Sequence, residues 1–122
     1  MAYINDTVFD TGLALITTNG DTLNICSAEP ANFAGIAAVN LGNDTVTVGA
    51  AGDGTPSGRK VTVPAITAGS VTADGTAAFW ALSDGTSTLY ASGPLTATQG
   101  VTNGNTFTLD AIDITITDAT AV

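Results

Sequence analysis

The sequence contains no histidine, one cysteine and two basic residues. Without histidine, Ser-His and Cys-His nucleophiles are excluded, and a zinc site is improbable. Cys26 has no partner for a disulfide within the chain, and we expect it to be a buried strand residue that packs as a small hydrophobe. Arg59 and Lys60 are too few to form a surface that attracts nucleic acid or an anionic membrane. No apolar run approaches the roughly 20 residues of a membrane-spanning helix.

Charged residues are also scarce, at 11% of the chain, and aromatic residues are 6%. An average domain is about a quarter charged. A surface made mostly of Thr, Ser, Asn, Ala and Gly immobilises few long side chains when it is covered, so association has a low entropic cost. We interpret it as a surface that packs against copies of itself or against a partner. A secreted β-domain with a Thr-rich surface would have the same composition, and composition alone does not separate the two.

What the sequence does contain favours strands. Its 122 residues suit one domain spanning 1–122, which buries roughly two-thirds of its unfolded surface. Abundant Thr favours strands over helix interiors, and 14 Gly with 4 Pro indicate frequent turns. We predict a mainly β fold, an antiparallel β-sandwich or jelly-roll-like domain with one short N-terminal α-helix.

The helix is predicted over residues 5–19, where Asn5 or Asp6 can cap the first turn and Gly20 follows the last. Its apolar positions recur at helical spacing: Phe9, Leu13 and Ile16, with Val8 and Leu15 widening the stripe. Residues 22–27 then predict a strand with Leu23 and Ile25 on one face. We expect one helical turn at 31–35 and two short strands at 36–41 and 45–48, joined by a turn at Asn43-Asp44.

Residues 75–118 predict an antiparallel meander. Its middle strand, 88–92, is entered by the Asp84-Gly85 turn and ended by Gly93-Pro94, and Asn103-Gly104 marks the next reversal. The apolar phase shifts by one residue between Leu109 and Ile112, and a β-bulge at 110–111 is the simplest explanation. Trp80 is expected to be the largest core side chain. The predicted core is Phe9, Leu13, Ile16, Ile25, Trp80, Leu82, Phe107, Leu109, Ile112, Ile114 and Ile116.

No pattern in the chain indicates catalysis. Asp110 and Asp113 lie close in sequence, but a glycosidase acid pair also needs a cleft lined by aromatic and polar groups, so we interpret them as solvated. The Asp-Gly dipeptides at 53, 74 and 84 indicate turns, and a calcium site formed across loops or subunits stays open. We predict that the protein is not an enzyme and has no cofactor and no resident metal.

Residues 49–58 lack apolar periodicity and are rich in Gly, which is typical of a mobile tip or a contact loop. Arg59 and Lys60 follow this loop as either solubilising charges or partners for an acid on a neighbouring subunit. The predicted contact residues are Gly52, Asp53, Gly54, Thr55, Pro56, Arg59 and Lys60.

Two stretches carry a resemblance. The first is YINDTVFDTGLALITTNGDTLNICSAEP at 3–30, and the second is AAFWALSDG at 77–85, followed by the VTNGNTF reversal and an Ile-rich strand. Together they cover over half of the chain and resemble small structural proteins of tailed-phage virions, namely capsid decoration (cement) proteins and β-sandwich appendage proteins. The middle, residues 36–70, carries little of the likeness.

The resemblance implies a virion component without a cofactor. It would be a homo-oligomer, with a trimer fitting three-fold capsid positions, that contacts the major capsid protein and neither nucleic acid nor membrane. Its localisation would be the virion, after assembly in the host cytoplasm. The alternative is a tail-tip or head-fibre module that binds a host receptor or glycan, for which Tyr90 or Tyr3 would supply an exposed aromatic surface.

Overall fold

The computed structural model describes residues 5–54 and 58–117. The elements of these residues, in chain order, are α1 (Asp6–Asn19), β1 (Thr22–Cys26), α2 (Phe33–Val39), β2 (Asn40–Thr45), β3 (Gly52–Asp53), β4 (Arg59–Val63), β5 (Ile66–Val71), β6 (Gly75–Ser83), β7 (Leu89–Val101), β8 (Thr106–Leu109) and β9 (Ile112–Ile116). The predicted contact residues Thr55 and Pro56, and Tyr3, lie outside the described residues.

The strands form two antiparallel sheets. The larger sheet has the order β7-β6-β1-β2-β5-β8, and the smaller has the order β3-β4-β9. The prediction of a mainly β, sandwich-like fold with an N-terminal helix is confirmed. The outermost strands of the larger sheet, β7 and β8, are consecutive in the chain and are joined by a turn at 102–105, where the Asn105 N–H donates to the Thr102 carbonyl over 3.0 Å.

The main core contains Leu23 and Ile25 of the larger sheet and Val61 and Val63 of the smaller one, all at most 1% exposed. A second cluster combines Cys26, Ala81 and Ile36 of α2. Because alternate residues of a strand point to opposite faces, β1 is buried on both sides, which is why Cys26 is fully buried as expected.

Helix α1 matches its prediction in position, and its stripe is narrower than predicted. The Asn5 side chain accepts the Thr7 N–H over 2.8 Å at the N-terminus. Phe9 and Leu13 are buried, and Ile16 is half-buried against the core. Val8 and Leu15 do not widen the buried stripe, since they are 62% and 57% exposed.

The interpretation of residues 36–41 as a strand is wrong for 36–39 and correct for 40–41, which begin β2, and of the strand expected at 45–48 only Thr45 is a strand residue. Helix α2 occupies Phe33–Val39, and its start is capped by Asn32, whose side chain accepts the Gly35 N–H over 2.9 Å. Ile36 packs against Cys26 and Ala81, and this tertiary contact outweighs the weak strand propensity of the segment. The turn expected at Asn43-Asp44 is also absent, because both residues pair with β1 inside β2.

The Trp80 prediction is corrected. Trp80 is only half-buried against the core, and the largest buried side chains of the described residues are Phe9 and Phe107, 5% and 2% exposed. Gly93-Pro94 does not end the strand, since β7 continues to Val101. Proline is tolerated there because β7 is an edge strand and one side of it needs no hydrogen-bond donor.

The phase shift between Leu109 and Ile112 is a change of sheet, not a bulge. Strand β8 pairs with β5 in the larger sheet, whereas β9 pairs with β4 in the smaller one. Ile112 and Ile114 are half-buried against the core, as is Leu109. Ile116 is 38% exposed and is not a core residue, because it lies at the last paired position of β9.

Candidate functional site

The edges of the larger sheet approach one another along a seam between β7 and β8. The Gln99 Nε2 donates to the Thr108 carbonyl across it over 2.9 Å. On β7 the pairing with β6 shifts, so that the four residues 95–98 lie opposite the single residue Ala78. This excess of chain widens the seam beside the Gln99 bridge.

A pocket of about 370 Å³ lies in this widened part. Residues 94–97 and Gln99 line one side, residues 108–113 line the other, and Trp80 of β6 contributes its ring. The volume lies within the range of about 300–1,000 Å³ that is usual for small-molecule sites. Apolar side chains (Leu95, Leu109, Ile112) alternate with polar ones, so the pocket offers both apolar contact and hydrogen bonding.

Trp80 owes its position to Gly93, its cross-strand neighbour on β7. A Cβ atom at Gly93 would lie 3.1 Å from the indole Nε1 and Cζ2, so the missing side chain is what gives the ring its space. No acceptor among the described residues bonds to the indole N–H, which has access to solvent. Trp80 therefore brings an apolar ring to the lining of the pocket and has an indole donor that no described residue uses.

The two acids of the pocket have different surroundings. Asp113 accepts the Thr62 hydroxyl over 2.7 Å and the Lys60 ammonium over 3.1 Å. These contacts, with Thr62 contributing most, hold the pKa of Asp113 below its ordinary value. A catalytic acid needs a raised pKa, so this carboxylate is suited to accepting hydrogen bonds and not to donating a proton. The Asp110 carboxylate is exposed and bonds to no other described residue.

A second feature is the outer face of α1. Val8, Thr11, Gly12 and Leu15 recur at i, i+3, i+4 and i+7 and are all exposed, and we call them the α1 face. Apart from the adjacent residues and the backbone of α1 itself, no described atom lies within 4 Å of a Cβ built at Gly12, and the Thr11 hydroxyl donates to the Thr7 carbonyl over 2.8 Å. The α1 face is uncharged and apolar at both ends.

Arg59 holds α1 against the smaller sheet. Its Nε and Nη2 atoms donate to the two oxygens of Asp10 over 2.8 and 3.2 Å, and its Nη1 donates to Asp53 over 2.6 Å. The hydrogen bond to Asp10 is the main cause of the raised pKa of Arg59. The Thr17 hydroxyl donates to the Gly49 carbonyl over 2.9 Å, which adds a second tie at the other end of the helix.

The structure brings five of the predicted contact residues together. Gly52 and Asp53 pair with Lys60 and Arg59 as a hairpin, which the Gly54 N–H closes by donating to the Gly58 carbonyl over 2.8 Å. Arg59 and Lys60 both pair with acids of the same chain. The sequence had suggested either solubilising charges or pairing with an acid on a neighbouring subunit, so this is a third possibility. Sequence reasoning missed Asp10 because it lies 49 positions from Arg59, a distance at which no local pattern joins opposite charges.

The Asp84-Gly85 turn is structural. One oxygen of Asp84 accepts the N–H groups of Thr86, Ser87 and Thr88 over 2.8–3.0 Å. These bonds hold the pKa of Asp84 well below its ordinary value, with the Ser87 N–H contributing most. The residue acts as an acceptor that orders the loop before β7.

Comparisons with protein-family models, curated proteins and solved structures found no match. Within residues 5–54 and 58–117, no group of three Cys, Asp or Glu side chains is placed to hold a metal ion. Neither helix in the same part of the chain has the length and hydropathy needed to cross a membrane.

Proposed function

We propose that the chain is a non-enzymatic structural protein of a phage virion, a capsid decoration protein that contacts the major capsid protein and copies of itself. The single observation that carries this proposal is the α1 face. Two large apolar side chains stand exposed on a helix whose opposite side is fixed by Phe9, Leu13 and the Arg59 ion pairs. The resemblance of residues 3–30 and 77–85 supplies the virion context.

The area available sets the strength of the contact. Covering the exposed parts of Val8 and Leu15 would contribute about 1–2 kcal/mol each. Association costs at least about 4 kcal/mol, and a standard interface buries about 1,600 Å² in total. The α1 face therefore needs neighbouring surface, and the hairpin of β3 and β4 is adjacent through Arg59. Repetition over a shell then multiplies weak single contacts.

The test is binding to particles that lack the chain. Purified protein is mixed with such particles from the encoding phage and sedimented. We expect wild-type protein and Ala28→Asp to cosediment, and Val8→Asp/Leu15→Asp to remain in the supernatant with an unchanged Tm. Ala28 is a matched control because it is exposed and lies in the loop before α2. Helix α2 covers the face of the larger sheet that is opposite the main core and α1. Undiminished binding of the double variant would exclude the α1 face.

Location is tested separately by immunogold electron microscopy of intact virions. Even labelling over the head supports decoration. Virions that carry none of this chain, by labelling and by mass spectrometry, would overturn the virion proposal. A parallel deletion of residues 52–57 tests the predicted contact loop, and particle binding that survives it would argue against that loop.

A second candidate function, a tail-tip or head-fibre module that binds a host receptor or glycan, is favoured by one observation, the pocket beside Trp80. The sequence pointed to Tyr90 or Tyr3 for this role, but Tyr90 is half-buried on β7 and does not line the pocket, and Tyr3 lies outside the described residues, so the proposal uses Trp80. Gold label confined to the tail end would favour this candidate over decoration.

A further inference from the structure

We propose that the pocket in the β7–β8 seam binds a neutral saccharide, with Trp80 as the surface on which a sugar ring stacks and Asp110 as an acceptor for its hydroxyls. This inference rests on the second candidate function and gives it a site and a ligand class. The decoration proposal uses the α1 face and makes no use of this pocket.

The shape and lining of the pocket suit a sugar ring. A sugar ring has an apolar face of C–H groups and an equator of hydroxyls. The pocket offers apolar surface from Trp80, Leu95 and Leu109, with polar groups beside it. Its volume of about 370 Å³ falls within the range of small-molecule sites, and its lining exposes somewhat more polar than apolar surface, which suits a ligand rich in hydroxyls.

The hydrogen-bonding groups of the pocket also suit the hydroxyls of a sugar. The indole N–H of Trp80 is a donor that no described residue uses, and the Asp110 carboxylate is a free acceptor. The Gln99 amide nitrogen is occupied by the Thr108 carbonyl, which leaves the amide oxygen as a further acceptor. A hydroxyl both donates and accepts, so a polyol can satisfy this mixture, whereas a purely apolar ligand would leave these groups unpaired.

The charges of the residues around the pocket also bear on which saccharides it can bind. Asp110 and Asp113 both line the pocket, and no basic residue does among the described lining. The chain carries a net charge of −9, so an anionic sugar would be repelled. Lys60 pairs with Asp113 and offsets the charge of that carboxylate, so the exposed Asp110 is the group that would repel an anionic sugar. These charges favour a neutral saccharide over an anionic one.

An extended peptide is the competing ligand, since it could add to a sheet edge. The Gln99–Thr108 hydrogen bond already closes the seam at that level, and Pro94 offers no backbone donor on the β7 side. These two features interrupt the ladder that an added strand would need, and they favour a compact ring.

The experiment uses the fluorescence of Trp80, the only tryptophan of the chain, so that any change in emission reports on the pocket directly. The probes are D-glucose, D-galactose, D-mannose, N-acetyl-D-glucosamine and cellobiose, with N-acetylneuraminic acid as the anionic probe. We expect at least one neutral probe to saturate with a Kd of about 1–10 mM, typical of a single small site. Backbone NMR shifts should move at residues 94–99 and 108–113.

Variants decide whether the pocket is responsible. We expect Asp110→Asn to weaken binding about fivefold, because the amide oxygen still accepts a hydroxyl but its bond lacks the added strength of a charged acceptor. Asp44→Asn makes the same charge change in β2 away from the pocket and should leave the Kd unchanged. Trp80→Phe, followed by NMR, should weaken binding about tenfold because it removes the donor and part of the ring surface. Asp110→Asn keeps the test valid even if Trp80→Phe lowers stability.

The proposal is overturned if no neutral probe changes emission or NMR shifts at about 100 mM, a concentration that would saturate any site of millimolar Kd. It is equally overturned if Asp110→Asn and Asp44→Asn bind alike, or if N-acetylneuraminic acid binds more tightly than every neutral probe. Saccharide binding by a chain that virions lack would refute the proposed function and leave the pocket standing. A virion chain that binds none of the probes would refute the pocket alone.

Discussion

Gly69 and Gly12 allow one chemical change, the addition of a methyl group, to be tested in two environments. Gly69 of β5 pairs with Phe107 of β8, and the phenyl ring lies over the glycine. A Cβ at Gly69 would lie 2.8 Å from Cδ1 of the ring and closer still to Cε1 and Cζ. Phe107 is 2% exposed, so the ring has no free space to enter. At Gly12 no described atom outside the adjacent residues and the backbone of α1 lies within 4 Å of the added methyl.

The two substitutions should therefore have opposite signs. Overpacking at Gly69 costs about 1–3 kcal/mol, and we expect Gly69→Ala to destabilise by about 2 kcal/mol. Gly12→Ala relieves the entropic cost of glycine inside a helix and should stabilise by about 0.5–1 kcal/mol. For 122 residues the unfolding entropy is about 0.26 kcal/mol/K, so each kcal/mol moves the Tm by about 4 °C. The expected changes are a fall of about 8 °C and a rise of about 2–4 °C.

The assay is thermal unfolding followed by circular dichroism, with urea unfolding as a check on two-state behaviour. A double-mutant cycle with Phe107→Leu tests the cause, since Gly69→Ala should cost little once the ring is removed. If Gly69→Ala changed the Tm by less than about 2 °C, or cost the same with and without the ring, the packing of Phe107 over Gly69 would be refuted.

Two further predictions concern ionisable groups. The pKa of Asp84 lies below its ordinary value of 3.8 in the folded protein, so its contribution is complete above that pH and is lost as the pH falls through the folded pKa. Asp84→Ala should lower the Tm at pH 7, and the gap to wild type should narrow below about pH 3.8; a gap independent of pH would contradict the bonds to residues 86–88. Burial raises the pKa of the Cys26 thiol to about 11, so we expect Ellman's reagent at pH 8 to label it only after denaturation in urea. Fast labelling of the native protein would show that α2 does not cover β1.

The sequence predicted α1 well because the signals for this helix are local. The cap at Asn5, the spacing of Phe9 and Leu13, and the stop at Gly20 all act within one helix, so α1 could be read directly. Helix α2 could not, because Ile36 is held by Cys26 and Ala81, which come from other parts of the chain. The size of Trp80 made it the obvious core residue, but side-chain size does not reveal that β6 places it beside a widened edge.

The pocket was beyond local patterns for the same reason. Its two sides, residues 94–99 and 108–113, meet because the sheet brings its outermost strands together, and this depends on pairings between distant segments. The sequence did single out Asp110 and Asp113, and the structure places both at the pocket. The excess residues 95–98 could have been suspected from the Gly93-Pro94 step, which is unusual inside a strand.

The two basic side chains, Arg59 and Lys60, connect the helix and strands around the smaller sheet. Both lie on β4, where Arg59 joins α1 and β3 to this strand and Lys60 joins β9 to it. The smaller sheet needs these ties more than the larger one, because β3 has two residues and no residue of β9 is fully buried. Isolated exposed ion pairs contribute little, but the Arg59 side chain is 19% exposed and bonds to two carboxylates at once. Because both basic side chains are paired within the chain, the surface of residues 5–54 and 58–117 offers a partner apolar groups, hydrogen bonds and an excess of carboxylates. The α1 face uses the first of these, and the pocket beside Trp80 combines all three.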